Sequence, residues 1–209
     1  MRLQPAESDA IARRVASVEA RTGVQVLAAV VPRSDSYVEL PWKAFALGAS
    51  LGALGAVAAD PSAAAVLHAV AILGSGAIGA LLTIFAPPFA RLFLREARSH
   101  AEVKQYAESL FLRRELFATR GRTAVLILVS EFERRVEILS DTGLHGRIGE
   151  AEWRHVIDTM VPHLRETGPF HALDAGIVAV ERLLGAKGFH ATASTANELP
   201  NRAIEESGA

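Results

Sequence analysis

The sequence of 209 residues contains no cysteine and few aromatic residues, 6% of the chain. Without cysteine the chain forms no disulfide and offers no thiol nucleophile, zinc–thiolate site or iron–sulfur cluster. The net charge of −1 and the pI near 6.7 exclude a strongly basic surface. Nucleic acid is therefore not an expected partner.

Charge is almost missing from one long segment of the chain. Residues 44–90 contain a single formal charge, Asp60, whereas the rest of the chain has the charge density of an ordinary soluble protein. This uneven distribution predicts a membrane segment inserted into a soluble domain.

The uncharged segment divides at Asp60 and Pro61 into two apolar stretches, residues 40–59 and 62–86. As a helix, the first would span roughly 30 Å, the thickness of the hydrocarbon core of a bilayer, and the second is longer. A buried hairpin of a soluble helical protein is the alternative, but a soluble helix normally shows a polar stripe, and neither stretch has one. The pattern favours a transmembrane helical hairpin over residues 40–90.

Residues on both sides of the hairpin suit a membrane interface. Trp42 and Lys43 stand at its start, and Arg91 and Arg95 follow its end, whereas the connecting turn offers only Asp60. The positive-inside rule then places both flanks in the cytoplasm. We expect a multi-pass protein of the bacterial inner membrane with a cytoplasmic soluble domain. A cleavable signal peptide is not expected, since the first 39 residues are charged and have no apolar run.

Small residues recur at a spacing of four on each apolar stretch. They form two stripes: Ala44, Gly48, Gly52 and Ala56, and Ala71, Ser75, Gly79 and Thr83. Such stripes let helix backbones approach closely in lipid. They serve either to pack the two helices of one hairpin or, in the other interpretation, to associate one chain with another.

The charged parts of the chain show the periodicities of helices and strands. Apolar residues three and four apart predict helices, and short apolar runs between Gly and Pro predict strands. The predicted helices cover residues 6–21, 99–118, 149–166 and 170–184, and the predicted strands cover residues 24–31, 123–129 and 135–139. The last two strands have the spacing of an antiparallel hairpin.

The segments on either side of the insertion are each too small to bury a core alone. We therefore predict one discontinuous α/β (α+β) domain, residues 1–39 with 91–186, in which helices cover a sheet of at least three strands. Residues 187–209 are polar and aperiodic, which predicts a disordered tail.

Five short segments carry a resemblance to a known family. They are VEARTGVQV at 18–26, SDSY at 34–37, TRGRTAVLILVS at 119–130, ERRVEI at 133–138 and DTG at 141–143. Their order and the position of the insertion resemble the TPM domain family, in its bacterial predicted-membrane-protein branch with a transmembrane hairpin inside the domain. The resemblance extends over residues 6–185.

The resemblance implies an α/β sandwich with a central sheet, in agreement with the periodicities. About activity it implies two directions. Some chloroplast relatives are described as acid phosphatases and photosystem repair factors, with acidic loops proposed to bind metal, and others act as accessory or assembly proteins of membrane complexes. Many TPM domains lie outside the cytoplasm behind a signal peptide, whereas this one is predicted to be cytoplasmic.

Asp141 is the best acidic candidate for a metal-dependent site, because it lies in a loop at a strand end. Glu7, Asp9 and Asp35 could join it only if the fold brings them close, and the alternative role of Asp141 is to form a turn before Gly143. The basic residues Arg113, Arg114, Arg120 and Arg122 either bind phosphate or lipid headgroups or form a solvated face.

The chain has no phosphate-binding glycine loop and no dense aspartate motif. We therefore expect a non-enzymatic binding or assembly module anchored at the cytoplasmic face of the membrane. Its expected partners are the lipid bilayer and a membrane protein or complex, and no cofactor is required. The alternative is a phosphatase that uses a divalent metal and acidic loop residues.

Overall fold

The computed structural model describes residues 3–191, 199, 201–206 and 208. These residues separate into two compact units, residues 1–35 with 100–209 and residues 36–99. The domain boundaries expected from the sequence, at residues 40, 90 and 186, stay a prediction.

The described residues form eight α-helices and four strands. The helices are α1 Pro5–Thr22, α2 Glu39–Ala59, α3 Ala65–Phe85, α4 Pro87–Ala90, α5 Glu96–Arg113, α6 Thr142–His145, α7 Glu150–Glu166 and α8 Pro169–Ala186. The strands are β1 Gln25–Val31, β2 Ala124–Ser130, β3 Arg135–Ser140 and β4 Ile204–Glu205. The mixed α+β fold predicted from the sequence is confirmed.

The sheet has the order β3-β2-β1-β4, and it joins strands from both sides of the inserted helices. β1 pairs in parallel with β2 over all seven residues of each strand, and β2 pairs antiparallel with β3, as the spacing predicted. Parallel neighbours cannot be joined by a tight turn and need a long crossover connection. The second unit is inserted in that connection.

Two apolar cores cover the two faces of the sheet. One contains residues of α1, α7 and α8 together with alternate residues of the strands, such as Val26, Val125 and Ile127. The other contains Val103, Ala107 and Leu110 of α5 over Leu27 and Leu126. The strands β1 and β2 are completely buried because helices cover both faces, which explains their continuous apolar sequences.

The C-terminal segment departs in part from the expected disordered tail. Residues 192–198, 200, 207 and 209 of that predicted tail lie outside the described residues. Where the segment is described, Ile204 and Glu205 pair with Ala29 and Val30 and add a fourth strand to the sheet. A strand of two residues has no periodicity that a sequence could reveal.

In the second unit, α2 and α3 pack along their small-residue stripes. A methyl group at Gly48 would lie 2.5 Å from the carbonyl oxygen of Ser75, and one at Gly79 would lie 2.6 Å from that of Ala44. The stripes therefore allow backbone-to-backbone contact within one hairpin, the first of the two interpretations above. Self-association of chains stays a prediction.

Candidate functional site

The loops that follow β1 and β2 meet at the carboxyl edge of the sheet around Glu133. This buried carboxylate accepts hydrogen bonds from the backbone N–H of Ser34 at 2.9 Å, from the Ser34 hydroxyl at 2.6 Å and from the hydroxyl of Ser130. Carboxyl edges of parallel strands are the usual place for ligands. Here the acidic group at that edge is already bound by three donors, and it fixes the loop by which the chain leaves the sheet.

Asp141 has a structural role at the opposite edge of the sheet. It is 3% exposed and is the N-cap of α6, where its Oδ1 accepts from the backbone N–H of Thr142 at 2.7 Å. Arg122 Nε lies 3.1 Å from Oδ1 and 3.0 Å from Oδ2. Both carboxylate oxygens therefore already face a cation, and Asp141 as a metal ligand stays a prediction.

The glycine of the DTG segment, Gly143, makes a close backbone contact beside Asp141. The backbone N–H of Gly143 donates to the carbonyl of Arg122 at 2.9 Å, and a methyl group at Gly143 would lie 2.7 Å from that oxygen. Only glycine lets the turn approach the β2 connection this closely, so the motif is explained by packing.

The other acidic candidates are used by different parts of the fold. Glu7 accepts from the backbone N–H of Gln4 at 2.7 Å and so closes the start of α1, Asp9 lies 3.7 Å from Arg202, and Asp35 follows β1. Within the described ranges, no group of three His, Asp or Glu residues could hold a metal ion. The geometry does not favour the metal-dependent phosphatase.

Three arginines of the basic cluster have identified partners. Arg114 Nη2 lies 2.7 Å from Glu206 Oε1, Arg122 pairs with Asp141, and the guanidinium of Arg113 lies 5.5 Å from the ring centroid of Tyr106. The remaining member, Arg120, is exposed and also has an interaction partner. The pairings fit the solvated-face interpretation of this cluster better than a phosphate site.

Two open grooves run along α8 and offer binding surface. The groove beside α1, about 600 Å³, is lined by Arg14, Arg21 and Arg182. Ion pairs hold two of these cations in place, Arg14 with Asp174 at 2.5 Å and Arg21 with Glu181 at 2.8 Å. Because Glu181 also lines the groove and two of its cations are paired, a polar segment is the chemistry that this groove would accept.

The groove between α7 and α8, about 500 Å³, has an apolar floor that includes Val156, Ala179 and Leu183. His155 and Arg182 stand at its rim. Glu152 lines the groove as well and pairs with Lys187 at 2.5 Å. A partner segment with apolar side chains would fit this surface, because the floor excludes water. Sequence reasoning missed this groove, since its residues come from two helices.

Glu19 on α1 is a buried carboxylate that the sequence analysis did not single out as a candidate. It is 5% exposed, Oε1 accepts from the backbone N–H of Val26 at 3.0 Å, and Oε2 has no hydrogen-bond partner among the described residues. Burial raises the pKa of Glu19 to about 7, although the Val26 N–H acts to lower it.

The position of Glu19 explains its burial. Gln25 donates its N–H towards β2, so the next N–H, that of Val26, points to the edge where β4 pairs only with Ala29 and Val30. Glu19 thus closes a part of the β1 edge that β4 leaves open. The sequence held one signal of this burial: Glu19 lies four residues after buried Val15 and therefore on the same face of α1.

The predicted interface residues gather at one end of the second unit. Trp42 is 72% exposed, and Lys43 Nζ lies 3.5 Å from the carbonyl oxygen of Phe93. Arg91 and Arg95 lie on either side of Phe93 in the chain, in the short connection between α4 and α5. The contact between Lys43 and Phe93 brings the two flanks of the hairpin together. Their location at a membrane surface stays a prediction.

Comparison with known proteins supports the resemblance. Residues 92–183 match the family profile described as the TPM domain. The chain is also similar to the NMR structure of the BA42 protein from the psychrophilic bacterium Bizionia argentinensis, with a TM-score of 0.61 and 14% identity over 99% of this chain and 97% of that one. At this identity the likeness concerns the fold alone. No curated protein matches the chain.

Proposed function

The chain carries a TPM domain, and on this premise we propose that it is a membrane-anchored, non-enzymatic binding or assembly module. In this proposal α2 and α3 cross the bacterial inner membrane, and the TPM domain recruits a membrane protein or complex at the cytoplasmic face.

The observation that carries the proposal is the outward-facing apolar surface of two long helices. α2 and α3 each have 21 residues, and only 6% and 11% of their apolar stretches are buried. At about 1.5 Å per residue, each helix is long enough to cross a hydrocarbon core. Apolar surface of this extent is rare on soluble monomers, because water penalises it, whereas lipid does not.

The charge distribution supports a cytoplasmic orientation. Lys43, Arg91 and Arg95 stand at one end of the hairpin, whereas the turn at its other end carries Asp60 as its only charge. Basic residues are retained on the cytoplasmic side during insertion. Both chain termini then lie in the cytoplasm.

The grooves along α8 support binding as the role of the domain. They are open, the one between α7 and α8 has an apolar floor, and both lie on helices that contribute their other faces to the core. The acidic side chains that a metal-dependent phosphatase would use are engaged in caps, ion pairs and loop contacts. The phosphatase alternative is therefore not favoured.

Membrane anchoring is tested by extraction of native membranes with alkaline carbonate. We expect the full chain to stay in the pellet, and a variant with residues 40–90 replaced by a Gly/Ser linker to become soluble. Reporter fusions at residue 61 and at the C-terminus should lie on opposite sides of the membrane. Release of the full chain by carbonate would contradict the anchor, and a periplasmic C-terminus would contradict the orientation.

Binding is tested separately by a photo-crosslinking amino acid at Leu183, in the groove between α7 and α8. We expect one discrete adduct with a membrane protein in intact cells. The matched control places the same group at Gln105, an exposed residue of α5 outside both grooves. Identical adducts from both positions, or none from Leu183, would count against the groove as a docking surface.

A further inference from the structure

The two ends of the hairpin differ in chemistry. At the end that holds the chain connections, which we call the base, Trp42, Phe85 and Leu92 are 72%, 79% and 76% exposed. The turn at the other end, residues 60–64, contains only Asp60, Pro61, Ser62 and two alanines. Large aromatic and apolar side chains together with basic ones are typical of the headgroup level of a bilayer.

The connection that follows α3 forms a short, firmly held segment at the base. α4 continues into a single 3₁₀ turn, Arg91–Phe93, and the rings of Phe89 and Phe93 pack edge to face with centroids 5.4 Å apart. Lys43 Nζ, 3.5 Å from the Phe93 carbonyl oxygen, ties this segment to the first turn of α2. The segment exposes Leu92 beside Arg91 and three residues before Arg95.

Positive charge exceeds negative charge at the base. Glu39 is shared by two cations, with its Oε1 2.9 Å from Arg98 Nη1 and 3.8 Å from Lys43 Nζ. Glu96 is the other acidic residue of this region, whereas Arg91 and Arg95 add two further cations. Arg95 is exposed, and within the described part of the chain it has no ion-pair partner.

We propose that the base of the hairpin binds the phosphate headgroups of anionic phospholipids, with Arg91 and Arg95 as the principal contacts. Leu92 and Phe85 enter the acyl region beside them, and Trp42 lies at the same depth. This inference rests on the proposed membrane anchor and adds the class of lipid that the anchor selects.

Lipid is the occupant that fits this combination best. A free phosphate ion requires donors that converge on one point, whereas these cations stand among exposed apolar side chains that need a non-aqueous phase. An anionic leaflet supplies both, because its headgroups carry negative charge immediately above hydrocarbon. An acidic protein surface would leave Phe85 and Leu92 in water unless it also covered them.

The experiment uses quenching of Trp42 fluorescence by brominated lipids. The full chain, with Trp153→Phe to leave one fluorophore, is reconstituted in equimolar phosphatidylcholine and phosphatidylglycerol, with the bromine on one lipid class or the other. If Trp153→Phe impairs folding, Trp42→Phe supplies the background to subtract instead. We expect brominated phosphatidylglycerol to quench several-fold more efficiently, which measures its enrichment around the base.

Removal of the two arginines should remove the preference. We expect Arg91→Gln with Arg95→Gln to bring the enrichment close to one, since one basic residue near an anionic surface contributes up to roughly fivefold. The matched control, Arg154→Gln with Arg165→Gln on α7, removes the same charge from the TPM domain and should leave it unchanged. Replacement of chloride by inorganic phosphate at equal ionic strength should not compete.

The outcomes separate this inference from the membrane anchor. Equal quenching by both lipids, an unchanged preference in the Arg91 and Arg95 variant, or competition by inorganic phosphate would overturn headgroup binding and leave the anchor intact. No quenching of Trp42 by either lipid would contradict the membrane location of the base, and with it the proposed function.

Discussion

The two units of this chain have opposite patterns of burial. In the unit that contains the sheet, the large apolar side chains of β1 and β2 are fully buried, and Glu19, Glu133 and Asp141 are the only buried residues among the charged ones described there. In the hairpin the large apolar side chains point outwards, and the buried positions include Ala44, Gly76, Gly79 and Thr83.

The difference is the one that the proposed membrane anchor predicts for a chain with one unit in water and one in lipid. In water, large side chains gain free energy by leaving the surface, and they fill a core at high density. In lipid there is no such gain, so helices associate through small residues that let their backbones approach. The burial pattern of each unit therefore agrees with the solvent that the proposed membrane anchor assigns to it.

The largest expected effect on stability comes from comparing the same kind of substitution, leucine to alanine, in the two units. Leu126→Ala, in the centre of β2, should lower the free energy of unfolding of the domain by about 2 to 5 kcal/mol, since it leaves a cavity. Leu54→Ala, at a residue 69% exposed on α2, should change stability by less than about 0.5 kcal/mol in detergent. The fluorescence of Trp153 follows the domain and that of Trp42 follows the hairpin during denaturation. Similar losses from both substitutions would show that the outer face of α2 packs on protein.

The next effect is a pH dependence that the domain owes to Glu19. Its carboxyl has a pKa of about 7 in the fold and near 4.5 when unfolded. Below the lower value both states are protonated, and between the two values only the unfolded state releases its proton. Stability should therefore fall as pH rises from 4.5 to 7, by about 3 kcal/mol in total, and stay low above that.

Glu19→Gln isolates this contribution. The amide oxygen can still accept from the Val26 N–H but carries no charge, so the fall in stability over this pH range should largely disappear. Urea denaturation between pH 4.5 and 8, followed by Trp153 fluorescence, measures it. Glu166→Gln, at an exposed residue of α7, should keep the wild-type profile. A profile unchanged by Glu19→Gln would mean that the carboxyl is solvated.

A smaller effect tests the packing of the hairpin. Gly79→Leu should destabilise it by about 1 to 3 kcal/mol, because the first carbon of the new side chain meets the Ala44 backbone. Gly74→Leu is the matched control on the same helix, since nothing lies within 4 Å of a methyl group there. Unfolding in detergent, followed by Trp42, distinguishes them. Equal losses would indicate that the face containing Gly74 also has a partner, such as a second chain.

The smallest effect concerns Asp141. Asp141→Ala removes the N-cap of α6 and the partner of Arg122, and it should cost about 1 kcal/mol, a few degrees in thermal midpoint. Asp141→Asn keeps a capping side chain and should cost clearly less. If instead Mg²⁺ or Mn²⁺ raised the midpoint of the wild type and of neither variant, Asp141 would be a metal ligand.

Much of the fold was predictable because its signals are local. Apolar periodicity predicted α1, α7 and α8 within a few residues, and apolar runs predicted β1, β2 and β3. The helix predicted over residues 99–118 is shorter at its C-terminal end: α5 ends at Arg113, and a 3₁₀ turn, Leu116–Ala118, follows. The break after α5 lies at Glu115, which has a φ of 50°. Residues 111–118 contain no glycine or proline from which the break could have been predicted.

The site was less predictable because its geometry is not local. The sequence singled out Asp141 as an isolated acidic loop residue, but its ion pair with Arg122, 19 positions earlier, depends on how β2 and β3 pair. The hydrogen bonds of Glu133 to Ser34 cross 99 residues of chain. Such contacts decide whether a carboxylate is available to a ligand, and no spacing along the chain reveals them.

The sequence by itself determined where the apolar helices lie, where the strands lie, and that charge marks one end of the hairpin, because these depend on residues a few positions apart. Only the tertiary structure decided that β1 pairs with β2 across the insertion, that the small-residue stripes face each other, and that Glu19 replaces a missing strand at the edge of β1. The physical reason is that burial of a polar group or a methylene depends on which distant segment covers it, and that segment is chosen by the packing of the whole chain.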